Sequence, residues 1–250
     1  MVIAGQILNY INEIAPFDTA MSFDNVGLLI GSENQTSEKV LLALDITSEV
    51  IDEAAAEGVK IIISHHPIIF NPLKVIEKDS IAYLAVKNDI TVISAHTNLD
   101  IANVGVNNTL AESVGVASES GTDSECLLVG ELEKEINSDK FADKIKSALS
   151  CRGLRYSRRN GTIKKVGISC GAGGSNIFAA ASAGAEAFVT GEIKHHEILF
   201  ANERNIAVFD IGHFRSEDMI IPKLALILGK EFRDTVFKQA ESDTDKMIYI

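Results

Sequence analysis

Lys60-Ile-Ile-Ile-Ser-His-His-Pro-Ile-Ile-Phe-Asn-Pro72 is the stretch on which the reading of this chain turns. Ile61 to Ile63 form an unbroken apolar run, the pattern of a short strand buried on both faces in a parallel sheet. Ser64, His65 and His66 arrive where that run ends, the place where open α/β sheets set their chemistry. Before it, Lys39 to Ile46 reads as another strand, followed by a helix capped by Thr47 or Ser48 and closed near Glu57 by Gly58. After it come a helix from about Ser80 to Lys87 and a strand from Ile90 to Ser94 that also runs into polar residues, Ala95-His-Thr-Asn-Leu-Asp100. Alternating strands and helices imply right-handed crossovers and a largely parallel sheet, an α/β fold.

Further out, Ile7, Leu8, Ile11 and Ile14 have helical spacing over Gln6 to Ile14, and Phe23 to Gly31 reads as a turn into a strand, with Asp24, Asn25 and Gly27 as turn residues. Val106 to Val114 is a helix. Ser118 to Ser124 has linker composition, so two α/β domains are expected, 1–122 and 123–250, the C-terminal segment packing back on the first. In the second, strands are expected at Leu127–Leu132, Leu154–Tyr156, Val166–Ser169, Ala187–Thr190 and Ile206–Ile211. Helices are expected at Asp139–Leu149, after Gly171-Ala-Gly-Gly-Ser-Asn176, at Glu192–Asn202 and at Phe214–Leu228, the last interrupted by Pro222; Met247–Ile250 reads as an edge strand.

The 250 residues, 46% hydrophobic and 23% charged, suffice for one large or two small globular domains. A formal net charge of −12 opposes extended nucleic-acid binding. The one basic cluster, Arg152 to Arg159, reads as a solvated loop and strand edge. No basic segment precedes an apolar one at Met1, and no apolar run reaches spanning length, so the expectation is a cytoplasmic protein without a membrane partner. Cys126, Cys151 and Cys170 form no C-x-x-C pair and read as reduced core residues.

The six histidines fall into four clusters, His65 with His66, His96, His195 with His196, and His213, each at or just after a predicted strand end. Imidazole is a ligand for zinc, iron, copper and nickel, and carboxylates extend the set to manganese and magnesium. Asp100 lies four residues after His96, and Glu217 four after His213, a spacing that shares one helical face. Neighbouring side chains on a regular strand diverge, so His65 and His66 fit two metal ions better than one, with Glu217 a candidate bridge. Structural readings stand beside these. His213 with Glu217, taken alone, is explained by a helix-start pair favoured by the dipole, and only the agreement among clusters favours ligation. His195 and His196 lie inside a predicted amphipathic helix that would expose one of them, which weighs against ligation. His96 suits an orienting or proton-transfer role. Gly173 and Gly174 offer backbone N–H groups to an anion, although no Lys-Ser or Lys-Thr pair follows as in a P-loop.

Taken together, the motifs resemble the dinuclear-metal proteins known as GTP cyclohydrolase 1 type 2 homologues, or Nif-three-like proteins. Asp24-Asn-Val-Gly-Leu28 is similar to the family's Trp-Asp-Asn-x-Gly-Leu signature, with Phe23 at the tryptophan position. Ser64-His-His-Pro67, Ala95-His-Thr-Asn-Leu-Asp100 and Gly212-His-Phe-Arg-Ser-Glu217 resemble its metal motifs, and Thr190 to His196 resembles a further segment. The resemblance implies that His65, His66, Asp100, His213 and Glu217 are the ligands, with Glu217 bridging. It implies two α/β domains with the metals in the cleft between them and a ring-shaped homohexamer. Longer members insert a middle domain that this chain is too short to contain.

Two divalent ions, Zn, Fe, Mn or Ni, against Asp100 and Glu217 leave a site of about +2, which attracts an anionic ligand such as a phosphate ester or nucleotide. The first expectation is therefore a metal-dependent hydrolase of a small anionic or nucleotide-like substrate, with His96 moving the proton and Gly173 or Gly174 contacting the anion. The alternative is a non-catalytic protein that binds, delivers or senses metal, or a protein-interaction hub.

Overall fold

The computed structural model describes residues 1–118, 121–123 and 125–249. The chain divides into two compact units, Met1–Leu99 with Ile220–Asp245, and Asp100–Met219 with Lys246–Ile250. The first crossing thus falls at Asp100 and not near residue 122. Residues 119, 120 and 124 lie outside those described, but the strands flanking the polar 118–124 segment pair with each other, Val116 opposite Leu132 and Ala117 opposite Glu131. Polar composition alone does not separate a linker between domains from a connection within one sheet.

In the first unit, five strands stand in the order Val236–Gln239, Lys39–Ala43, Ile61–Ser64, Thr91–Ser94 and Gly27–Ile30. The first four are mutually parallel and Gly27–Ile30 is an antiparallel edge. Thr47 caps the helix Ser48–Ala56 by accepting from Val50 N, and Gly58, at φ +68°, supplies the left-handed turn that ends it. Leu41, Ile62 and Val92 face Val50, Ile51, Ala54 and Ala85 in one core in which all are sealed from solvent. Residues of the C-terminal segment fasten to the same unit: Ala240 N donates to Leu42 O at 2.8 Å, and Ser242 N to Glu53 Oε2 at 2.9 Å.

A six-stranded mixed sheet organises the second unit, in the order Val116–Ala117, Leu128–Ile136, Ile163–Ser169, Ala187–Thr190, Ala207–Asp210 and Arg155–Tyr156. Its three central-to-right strands, Ile163–Ser169 to Ala207–Asp210, are parallel and the others antiparallel. Helices Val106–Val114, Ser138–Ala148, Ile177–Ser182 and His195–Glu203 belong to it, and Ile177, Ala180, Phe188, Ala201 and Val208 form a buried core.

Three local expectations are corrected. No strand forms at 247–249, and residue 250 lies outside the described residues; the edge is Val236–Gln239, whose half-exposed residues carry little apolar pattern and are held by backbone pairing. The expected Phe214–Leu228 helix is two, His213–Glu217 and Ile220–Glu231. Pro222 sits in the first turn of the second, where its missing N–H removes no intrahelical bond. The helix expected from Glu192 begins at His195, so His195 and His196 are its first two residues, and both are exposed. Among the described residues, no helix is long and apolar enough to cross a membrane.

Candidate metal centre

In the first unit, the backbone at the end of Ile61–Ser64 brings two neighbouring rings to one side. N–H groups of successive strand residues normally point to opposite neighbours. Here His65 N donates to Ala43 O at 3.0 Å and His66 N to Leu44 O at 2.9 Å, both toward the same neighbouring strand. The pleat alternation is broken there. His65 and His66 therefore converge, with ring centroids 5.0 Å apart. His96, two residues beyond the adjacent strand Thr91–Ser94, completes a trio at 5.1 Å from His65 and 5.4 Å from His66. One ligating atom from each ring lies within 4.8 Å of the others.

Each ring is held through Nδ1. His65 Nδ1 lies 3.0 Å from Ala95 O, His66 Nδ1 2.9 Å from Asp45 Oδ1, and His96 Nδ1 2.9 Å from Asp24 Oδ1. A neutral imidazole that donates from Nδ1 carries its lone pair on Nε2, the tautomer and support typical of ligating histidines. Asp24 also accepts from Thr97 N at 3.0 Å and Thr97 Oγ1 at 2.5 Å. Burial alone would raise its pKa; the bonds from His96 and Thr97 outweigh that and hold it well below the usual carboxylate range.

The second unit has an acidic cluster of its own. Asp100 and Glu217 are both buried, 6% and 2% exposed. Cys170, one residue past the strand Ile163–Ser169, donates from Sγ to Asp100 Oδ1 at 3.3 Å. Burial, and then the charges of Asp100 and Glu217, push its thiol pKa well up, so it stays protonated. At the start of the His213–Glu217 helix, His213 Nδ1 lies 2.7 Å from Glu192 Oε1, and its Nε2 lies 3.2 Å from Glu217 Oε2. Glu217 is the last residue of that five-residue helix, where the dipole disfavours a carboxylate, so the helix-start explanation of the pair does not hold. Gly171 admits the carboxylate: at φ +54° a Cβ there would stand 2.2 Å from Glu217 Oε1.

The donor set fits divalent cations. Histidines with supported Nδ1 atoms and buried carboxylates are ligands of Zn, Fe, Mn and Ni. Buried carboxylates are also costly without a cationic partner.

Other predicted residues fall elsewhere. His195 and His196 are exposed on the surface of the second unit, and His196 has a 4.0 Å contact to Glu197. A Cβ on Gly173 would meet Ser169 Oγ at 2.2 Å, and one on Gly174 would meet Glu192 O at 2.5 Å, so chain packing accounts for both glycines. Three of the four arginines in the basic cluster pair with acids from elsewhere in the chain: Arg155 with Asp210, Arg158 with Asp139 and Arg159 with Glu186. Asp45 had no assigned role in the sequence reading, and Cys170, Glu192 and Asp24 entered it only as a core residue, a helix start and a turn residue. The one available signal was that Asp24 opens the Asp-Asn-Val-Gly-Leu motif and that Asp45 and Cys170 each follow a strand.

The family model for Duf34/NIF3 (NGG1p interacting factor 3) matches residues 2–246. A Clostridium perfringens protein named GTP cyclohydrolase 1 type 2 homolog is 38% identical over 231 residues, 88% of each chain. A Helicobacter pylori protein named GTP cyclohydrolase 1 type 2 is 30% identical over 223 residues, 87% of this chain and 88% of that one. Among solved structures, a Staphylococcus aureus hypothetical protein aligns with a TM-score of 0.91 at 29% identity over 99% of both chains. A Bacillus cereus protein related to NIF3 aligns with a TM-score of 0.90 at 23% identity, covering 100% of this chain and 99% of that one, a likeness of fold.

Proposed function

The chain belongs to the Duf34/NIF3 family, and on that premise we propose that it is a dinuclear divalent-metal hydrolase of a small anionic, nucleotide-like substrate. By the resemblance, His65, His66, Asp100, His213 and Glu217 would hold the two ions. The observation that carries this reading is that His65 and His66 converge with Nδ1 of each supported by an oxygen acceptor, which suits Nε2 to ligation, while His96 beside them is anchored in the same way.

When bound, a pair of divalent ions supplies Lewis acidity and lowers the pKa of water toward neutrality. The residues of the chain do the rest. His65 and His66 are oriented by Ala95 O and Asp45 before any ligand arrives. His96, its Nδ1 anchored on Asp24, presents Nε2 as the group that takes and returns a proton as water adds across the scissile bond, one product keeping the hydroxyl and the other the hydrogen. The excess positive charge of the loaded site, about +2, draws an anionic substrate despite the acidic chain. The relatives named GTP cyclohydrolase 1 type 2 make GTP the first substrate to assay. By the same resemblance the protein acts as a homo-oligomer, a hexamer.

Elemental analysis of protein purified without chelator tests the centre. Close to two ions per chain, lost in His65→Ala and His213→Ala, is the expected result; a content near zero in the unaltered protein sinks it. Turnover of phosphate esters or nucleotides that Glu217→Ala abolishes is expected of the hydrolase. Metal binding without such turnover leaves the non-catalytic metal protein as the answer.

A further inference from the structure

Two phenylalanines stand open to solvent beside the histidine trio of the first unit, Phe23 58% exposed and Phe70 44%. Their ring centroids are 6.0 Å apart with planes inclined at 43°. Phe70 also lies 6.4 Å from the His96 ring, nearly edge-on at 76°. An exposed phenylalanine forgoes the burial energy its ring would gain, so a pair kept in the open next to a polar cluster calls for an occupant.

Both rings sit on backbone tied to the histidine cluster. Phe23 immediately precedes Asp24, whose carboxylate holds His96 and Thr97. Phe70 immediately follows Ile69, whose carbonyl accepts from Asn25 Nδ2 at 2.6 Å. The Asp24 bonds that orient His96 and the adjacent Asn25 bond to Ile69 thus tie down the backbone next to both aromatic residues, although no regular secondary structure contains either.

We propose that Phe23 and Phe70 form an aromatic wall that receives the planar ring of a nucleotide-like ligand, with the ligand's anionic end directed to the metal centre. This rests on the metal-centre reading above and adds the ring-binding half of the site. At 6.0 Å the two rings already pack on each other, so a flat ligand ring stacks offset on their exposed faces and not between them. Such stacking accepts any base, because every base offers a π-face. The contact between Phe70 and His96 makes the wall continuous with the proposed proton-transfer residue, which a docking surface for a remote partner would not require.

The chain contains no tryptophan, so Phe23→Trp introduces a single fluorescent reporter at the wall. GTP is expected to quench its emission and tripolyphosphate, which has charge but no ring, to leave it unchanged. Adding Phe70→Ala should weaken the GTP midpoint about tenfold, and Phe70→Tyr should preserve it. Metal content is measured on the same samples. Metal present with no GTP quenching overturns the wall while sparing the metal centre; quenching by GTP in protein that holds no metal keeps the wall and removes the centre. Equal quenching by tripolyphosphate, or an emission change that follows protein concentration alone, overturns the wall, the latter in favour of a contact between copies of the chain.

Discussion

Oδ1 of Asp24 lies 2.9 Å from Nδ1 of His96, across 72 residues of chain. The same carboxylate takes two further hydrogen bonds from Thr97, so one aspartate fixes both the ring and the backbone that follows it. Replacing it with asparagine keeps the volume and removes the acceptor charge. Asp24→Asn is expected to lower metal affinity or catalytic turnover by about 10- to 100-fold, the usual effect of losing an outer partner of a ligating or proton-transferring histidine. Metal titration alongside a turnover assay reads this out; unchanged values in both would separate Asp24 from the site.

Gly171→Ala should disturb the acidic cluster of the second unit. Its Cβ would meet Glu217 Oε1 at 2.2 Å, in a backbone conformation of φ +54° that alanine rarely adopts. A stability loss of about 1–3 kcal/mol is expected from the strain, together with reduced metal content as Glu217 is displaced. Chemical denaturation and elemental analysis check the two parts separately.

His195→Ala combined with His196→Ala should leave metal content unchanged, because both side chains are exposed on the second unit. Loss of an ion per chain in this double variant would restore the ligand role that their exposure argues against.

Glu186 predicts part of the acid sensitivity. Burial pushes its pKa up, but hydrogen bonds from Lys165 N and Lys164 N and the Arg159 guanidinium bring it below its ordinary value of 4.5. A carboxylate depressed in the folded state stabilises fully above its unfolded pKa, and that contribution is lost as pH falls through the folded value. Glu186→Gln should therefore be less stable than the unaltered protein near neutrality, and the gap should narrow below about pH 4.5. Denaturation midpoints measured across pH 3–7 that differ by a constant amount would contradict this (a range of about four units spanning the titration).

Ile62→Ala should cost about 2–5 kcal/mol, since Ile62 is fully buried in the core with Leu41, Val50 and Val92. A loss below about 1 kcal/mol in urea denaturation would mean that the site collapses around the smaller side chain.

Much of the first unit was legible because its signals are local. Ile61 to Ile63, ending at Ser64 and His65, specify a buried strand and its chemical end from their own pattern. Thr47, Ser80 and Gly58 mark helix ends by capping and a left-handed turn, which act within a few residues. Val236–Gln239 was not legible because an edge strand held by backbone pairing needs little side-chain pattern. Polar composition at 118–124 is a weak boundary signal, because such residues look alike whether they separate domains or lie between paired strands.

By itself, the sequence determined the α/β class, the strand ends on which His65, His66 and His96 sit, and the residue types capable of holding divalent ions. Those depend on short-range periodicity and on side-chain chemistry. Only the tertiary structure decided that Asp24 and Asp45 support two of those histidines, that Cys170 donates to Asp100, that Gly171 makes room for Glu217, and that His195 and His196 stand apart. The partners in these contacts lie 21 to 72 residues apart in the chain, and sheet order brings them together, which no local pattern encodes.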